Sequence, residues 1–147
     1  MRAKASKRQA VEMRMVEILK LDTKGRVSLP AKLRDGLGLR EGMYIMAIAD
    51  LETRNVRLTP FADPEARLIQ LRIGLADMPG SLARVAKVLA EANIDLLSTE
   101  SATLERGQRA EWRAVADASK CPIPLNELKS LILKDGAAKT VEVQELR

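Results

Sequence analysis

The sequence has no histidine and a single cysteine, Cys121, in 147 residues. These two shortages remove the usual transition-metal cages, the Ser-His and Cys-His nucleophile pairs and the default general base. The composition therefore speaks against an enzyme, and no cofactor or metal is expected. A lone cysteine also excludes an intrachain disulfide, as in proteins of a reducing compartment, and the thiol is expected to be inert. Aromatic residues are scarce: Tyr44, Phe61 and Trp112 are the only three, too few to build stacking platforms for single-stranded nucleic acid. Any nucleic acid bound here should be duplex. No apolar run approaches the roughly 20 residues that cross a bilayer. The N-terminal stretch "MRAKASKRQAVEMRM" carries charge but no apolar centre, so neither an anchor nor a signal peptide is expected and the location is read as cytoplasmic.

What is present suffices for a soluble globular protein: hydrophobic residues make up 46% and charged residues 31%, enough for a core and a wet surface. The charge is uneven. Residues 1–61 contain 13 Lys/Arg and 7 Asp/Glu, whereas residues 62–147 contain 12 and 13. A basic half beside a nearly neutral one points to a polyanion-binding module joined to a module with another task. Part of the excess lies in residues 2–14, with five basic residues and one acid, and that part alone would be an ordinary solvated tail. The stretch "FADPEAR", residues 61–67, combines proline, small residues and charge between two strand-like patterns. The expected organisation is a basic tail over 1–14, a first domain over 15–60, a short linker over 61–66 and a second domain over 67–147.

In the first domain, "MVEILKLD" (15–22) alternates at period two and predicts a strand. "TKGRVSLP" adds a glycine turn and a second short strand, "RVSL". Pro30 suits the first turn of a helix, and "AKLRDGL" is one or two helical turns ended by Gly36 and Gly38. "MYIMAIA" and "NVRLTP" predict two more strands around the polar turn "DLETR". Four short strands and a scrap of helix bury too little surface to be stable alone, so a dimer sharing one core is expected. Gly25 permits a tight turn from which Lys24 and Arg26 project, and the planar fork of Arg26 can take a phosphate or a guanine edge bidentately. The plainer reading of such charges is an outward strand residue and a solvated helix residue.

The stretch "ILKLDTKGRVSLPAKLRDGLGLREGMYIMAI" resembles the AbrB-type swapped-hairpin DNA-binding domain over residues 15–60. The G-R-V-x-L-P core and the L-G-L-x-x-G spacing carry the likeness. The resemblance implies a dimeric swapped-hairpin β-barrel that lays its basic loop and helix along double-stranded DNA. By position it nominates Lys20, Lys24, Arg26 and Arg34, with Lys32 as a further phosphate contact. Asp35 and Leu19 occupy places where family members often carry basic residues. Lys4, Lys7, Arg8 and Arg14 of the tail would compensate through phosphates, adding affinity without sequence information.

The second domain reads βαββαβ: strand "RLIQLRI", helix "GSLARVAKVLAEAN", strands "IDLLSTESATL" and "RAEWRAVADA", helix "PLNELKSLILKDG" and strand "KTVEVQEL". This order predicts a ferredoxin-like fold with helices on one face of an antiparallel sheet, making the whole chain α+β. Val85, Leu89, Leu128 and Leu131 are expected in its core, Ser81 or Asp77 at the helix cap and Asn93 at the helix end. Trp112 packs either within this domain or between the two.

"DMPGSLARVAKVLAEANIDLLS" is similar to the ACT domain, a resemblance that covers residues 67–146. It implies a small-molecule pocket, usually for an amino acid, at an interface between two such domains. The residues nominated are Asp77, Met78, Pro79, Gly80, Ser81, Leu82 and Asp95. The chemistry is consistent: Pro79 fixes the approach, Gly80 lets backbone come close, the amides of Ser81 and Leu82 suit a carboxylate and Asp77 suits an ammonium. Asp95 stands where ligand-binding ACT domains often have asparagine, and there it either binds an ammonium or disfavours a carboxylate. The plainer reading of D-M-P-G-S-L is a well-capped turn.

Together these readings predict a nucleoid-associated transcriptional regulator that binds DNA as a homodimer or dimer of dimers, with an ACT domain for an amino-acid effector or for oligomerisation. The alternative is an antitoxin-like or enzyme-regulatory partner-binding protein with the ACT domain as an assembly module.

Overall fold

The computed structural model describes residues 14–146, so the expected basic tail other than Arg14 lies outside the described residues. The chain divides into two compact units, the first ending at Pro60 and the second beginning at Phe61.

In the first unit the chain turns sharply at Asp22, whose N–H donates to Arg26 O (2.9 Å) while Gly25 N donates to Asp22 O (3.1 Å). Gly25 takes a φ of +75° there, which a side chain would resist. Helix α1, Ala31–Leu37, follows; Pro30 occupies its N-cap, one place before the expected first turn, and Gly38 ends it in the left-handed region. Strands β1, Tyr44–Asp50, and β2, Asn55–Ala62, form a two-stranded sheet. The Asp50 carboxylate shapes the turn between them by accepting from Glu52 N (3.0 Å) and Thr53 N (3.1 Å). β2 runs two residues into the stretch expected as a linker.

The expected strands at 15–22 and 26–29 need correction, because those residues are assigned to no strand. A strand exists only as part of a ladder, and β1 and β2 pair only with each other among the described residues. Within residues 14–60 no described residue is buried, and Val16 and Ile18 are 85% and 93% exposed.

The second unit has the expected βαββαβ order: β3 (Leu68–Ala76), α2 (Ser81–Glu91), β4 (Asp95–Glu105), β5 (Arg109–Asp117), α3 (Leu125–Lys134) and β6 (Thr140–Glu145). Its antiparallel sheet runs β4-β5-β3-β6, the arrangement of a ferredoxin-like ACT-type fold. Alternation sets the two faces. Ile69, Leu71, Ile73 and Leu75 of β3 and Trp112, Ala114 and Ala116 of β5 point into one core with Val85, Val88 and Leu89 of α2 and Leu128 and Ile132 of α3. Their intervals of three and four residues place the helical members on one stripe. Trp112 therefore packs inside this unit.

The ends of the elements are closed locally. Asn93 takes a φ of 57° just after α2, as its position suggested, and Ile94 N returns to Leu89 O (3.0 Å). At the start of β3, the Asp117 carboxylate accepts from Arg67 N and Ser119 N, each at 2.9 Å. Burial acts to raise that carboxyl, but the bonds from Ser119 and Arg67 outweigh it and hold it below its ordinary value. Edge strand β4 carries two register shifts, at Leu96/Ser98 and Thr103/Glu105.

Candidate functional site

Two clusters nominated by the sequence, and one that it did not reveal, can be built from these elements. The first is the loop at Asp22. Its Oδ1 accepts from Lys24 N (2.8 Å) and Arg26 N (2.9 Å), and its Oδ2 accepts from Arg26 Nε (2.8 Å). Hydrogen bonds from the Arg26 backbone and side chain hold the Asp22 carboxyl below its ordinary value. One acid thus orders the turn and orients the guanidinium, whose side chain stays 71% exposed. Lys20 and Arg26 line one open depression with Asp22, Ile18, Leu19, Val27 and Ser28. Lys24 sits at the turn itself, and Lys32 and Arg34 are exposed on α1.

The second cluster surrounds the loop after β3. A cleft of about 210 Å³ is lined by Asp77, Met78, Ser81 and Leu82 together with Ser101 and Thr103 of β4 and Trp112 of β5. Pro79 and Gly80 shape this loop without lining the cleft, Gly80 taking a φ of 86° at the start of α2. Neither Ser81 nor Asp77 caps that helix, contrary to expectation. The Ser81 amide donates to Met78 O (3.2 Å), and the Asp77 carboxylate reaches the β4–β5 turn, where Oδ2 accepts from Gly107 N at 2.6 Å. Asp95 lies elsewhere, beside Asp117 at the opposite end of the sheet. At about 3.3 Å per residue, β4 separates it from the Asp77 loop by roughly 30 Å. A single chain does not bring Asp95 and Asp77 together. Ser101 and Thr103 carry no local sequence signal, because only the order of the strands places them under the loop.

The third cluster occupies the sheet face turned away from the helices. Glu111 is nearly buried, and its Oε1 accepts from Arg113 Nε at 2.9 Å and from Arg72 Nε. Hydrogen bonds from Arg72 and then Arg113 hold its carboxyl below the ordinary value against the opposing effect of burial. Among the described residues no group of three or more His, Cys, Asp or Glu could hold a metal ion, and no helix is long and apolar enough to cross a membrane.

The family comparisons agree with both units: residues 69–133 match the model of the ACT domain. The C-terminal unit is an ACT domain. Residues 16–51 match the family described as "MraZ protein, putative antitoxin-like", so the ACT domain follows an MraZ/AbrB-like N-terminal unit. No curated protein matches the chain.

Among solved structures, the chain is similar to a formyltetrahydrofolate deformylase from Pseudomonas syringae, at 17% identity and a TM-score of 0.47 over 54% of this chain and 28% of that one. The chain thus matches little more than a quarter of the deformylase's length. It is also similar to the C-terminal domain of the MgtC protein from Mycobacterium tuberculosis, at 15% identity and a TM-score of 0.43 over 57% of this chain and 92% of that one. A third likeness is to the regulatory subunit of aspartate kinase from Thermus thermophilus, at 17% identity and a TM-score of 0.41 over 71% of this chain and 57% of that one.

Proposed function

We propose that the protein is a DNA-binding transcriptional regulator, not an enzyme, whose ACT domain senses an amino acid or a related small metabolite. The observation that carries this reading is the Asp22 loop: one carboxylate orders a glycine turn and orients Arg26 beside Lys20, on the segment matched by the MraZ family. Exposed cations on an ordered turn engage phosphates, and a guanidinium can also read a guanine edge.

The unit acts as a homodimer or within a dimer of dimers. Val16, Ile18, Leu51 and Val56 are 66% or more exposed in a single chain, and covering such side chains is the main driving force for association. A second chain would also supply the ladder that residues 15–22 lack. In the ACT domain, the cleft beside Asp77, Ser81 and Leu82 is the candidate site for the effector. The effector changes DNA affinity only to the extent that it binds two quaternary arrangements differently.

A second reading, in which the N-terminal unit binds a protein partner as an antitoxin does, is favoured by the description of the matched family. Duplex-DNA binding measured by fluorescence anisotropy across a salt series separates the two. The regulator requires an affinity that falls steeply with salt and shifts when a stabilising amino acid is added. Absence of duplex binding at low salt would leave the partner-binding reading.

A further inference from the structure

The open face of the ACT sheet carries a row of charges set by strand register. Glu100 of β4 stands opposite Arg113 of β5, Arg113 opposite Arg72 of β3, and Arg72 opposite Glu142 of β6. Two arginines directly across an antiparallel pair repel each other. Glu111, also on this face of β5, holds them in place by accepting from both Nε atoms with one oxygen.

Bonding through Nε leaves the outer ends of both guanidinium groups available. Arg72 Nη1 has Glu142 Oε2 at 4.0 Å, an ion pair too long for a hydrogen bond. No bond from an Nη group of Arg113 is seen among the described residues. Two forked donors held at a fixed spacing are suited to a planar carboxylate.

Beside them lies a depression of about 290 Å³ lined by Arg72, Arg113, Glu142, Gln70 and Gln144. That volume falls just below the range of ligand pockets, roughly 300–1,000 Å³. Every lining side chain is polar. The arginines supply donors on one side, Glu142 an acceptor on the other, and the two carboxamides can serve as either. An anion would gain the arginines but meet Glu142, and a lone ammonium would meet the reverse. A molecule with both groups satisfies the whole set.

We propose that this depression is a ligand site of the ACT domain, separate from the cleft beside Asp77, in which Arg72 and Arg113 take the carboxylate of a free amino acid and Glu142 takes its ammonium group. It rests on the reading that the ACT domain senses an amino acid or a related metabolite, and adds a second place for such a ligand to the cleft beside Asp77.

Calorimetric titration of the full chain with each proteinogenic amino acid, and with propionate and methylammonium as half-ligands, tests the site. At least one amino acid should bind more tightly than either half-ligand. Arg113→Gln and Glu142→Gln, both at exposed positions, should each weaken binding by about ten-fold or more, the size of a lost charge-assisted hydrogen bond, with circular dichroism unchanged. Binding that survives both substitutions but is lost in Asp77→Ala moves the ligand to the loop cleft and overturns the site, while ligand sensing stands. Propionate binding as tightly as the best amino acid overturns the role of Glu142. Failure of every amino acid to bind overturns the site and the amino-acid reading together.

Discussion

The Asp77 carboxylate accepts a hydrogen bond from Gly107 N at 2.6 Å, tying the loop after β3 to the turn between β4 and β5. Asp77 N donates to Gln108 O (3.2 Å) as well, so the two segments are joined at two points. An ammonium group that recruits this carboxylate must compete with the Gly107 amide. Asp77→Ala should therefore lower stability by about 1 kcal/mol, the net contribution of such a bond. It should also speed hydrogen exchange at the Gly107 amide. Unchanged exchange there would show that the tie does not hold in solution.

Arg26 and Asp22 act against each other at the proposed DNA surface. Arg26→Ala should weaken duplex binding and reduce the salt slope by about 1, the loss of one phosphate contact. Asp22→Asn should do the opposite at low salt, since it keeps a carbonyl oxygen for the amides of Lys24 and Arg26 but removes the competing charge. Parent-like affinity of Arg26→Ala at low salt in anisotropy titrations would remove Arg26 from the interface.

Asp117 predicts a pH dependence. Its folded-state carboxyl lies below the ordinary value of 3.8, so the unfolded chain binds the proton more tightly. The stabilisation is fully present above about pH 4 and is lost as pH falls through the folded value. Asp117→Ala should lower the stability of the ACT domain at pH 7 by about 1 kcal/mol, because the Arg67 and Ser119 amides lose their acceptor. The difference from the parent should shrink in acid. Thermal unfolding at pH 7 and pH 3 measures both quantities.

Ile132 is fully buried against the sheet, and Ile132→Ala should cost about 2–5 kcal/mol. Ile18 is almost fully exposed in one chain, and Ile18→Glu should leave the ACT domain folded while weakening self-association. Sedimentation separates the two effects. If Ile18→Glu leaves the oligomer intact, Ile18 is not part of the dimer core.

The ACT domain was legible because its signals are local. The intervals between Val85, Val88 and Leu89 and the alternation in "RLIQLRI" each report a buried face without reference to any other element. The N-terminal strands were not legible to the same degree. Alternation over 15–22 indicates a strand-like sequence but says nothing of what would pair with it, and the described chain offers no ladder. Pairing also decides where the candidate residues lie. Asp77 and Asp95 flank the same helix in sequence yet lie at opposite ends of the sheet. Arg72 and Arg113 are far apart in sequence and meet only through register, and the outward position of Glu111 between Ala110 and Trp112 gives no hint of the two guanidinium groups it holds.

The two irregularities in β4 bear on how the protein behaves when concentrated. A straight, unpaired border strand of eleven residues would be a template for indefinite ribbon growth. The breaks near Leu96 and Thr103 bend that border and divide its free amides into short runs. Glu100 and Glu105 add charge along it. An added strand finds no long straight run to pair with along such a border, which disfavours growth into ribbons.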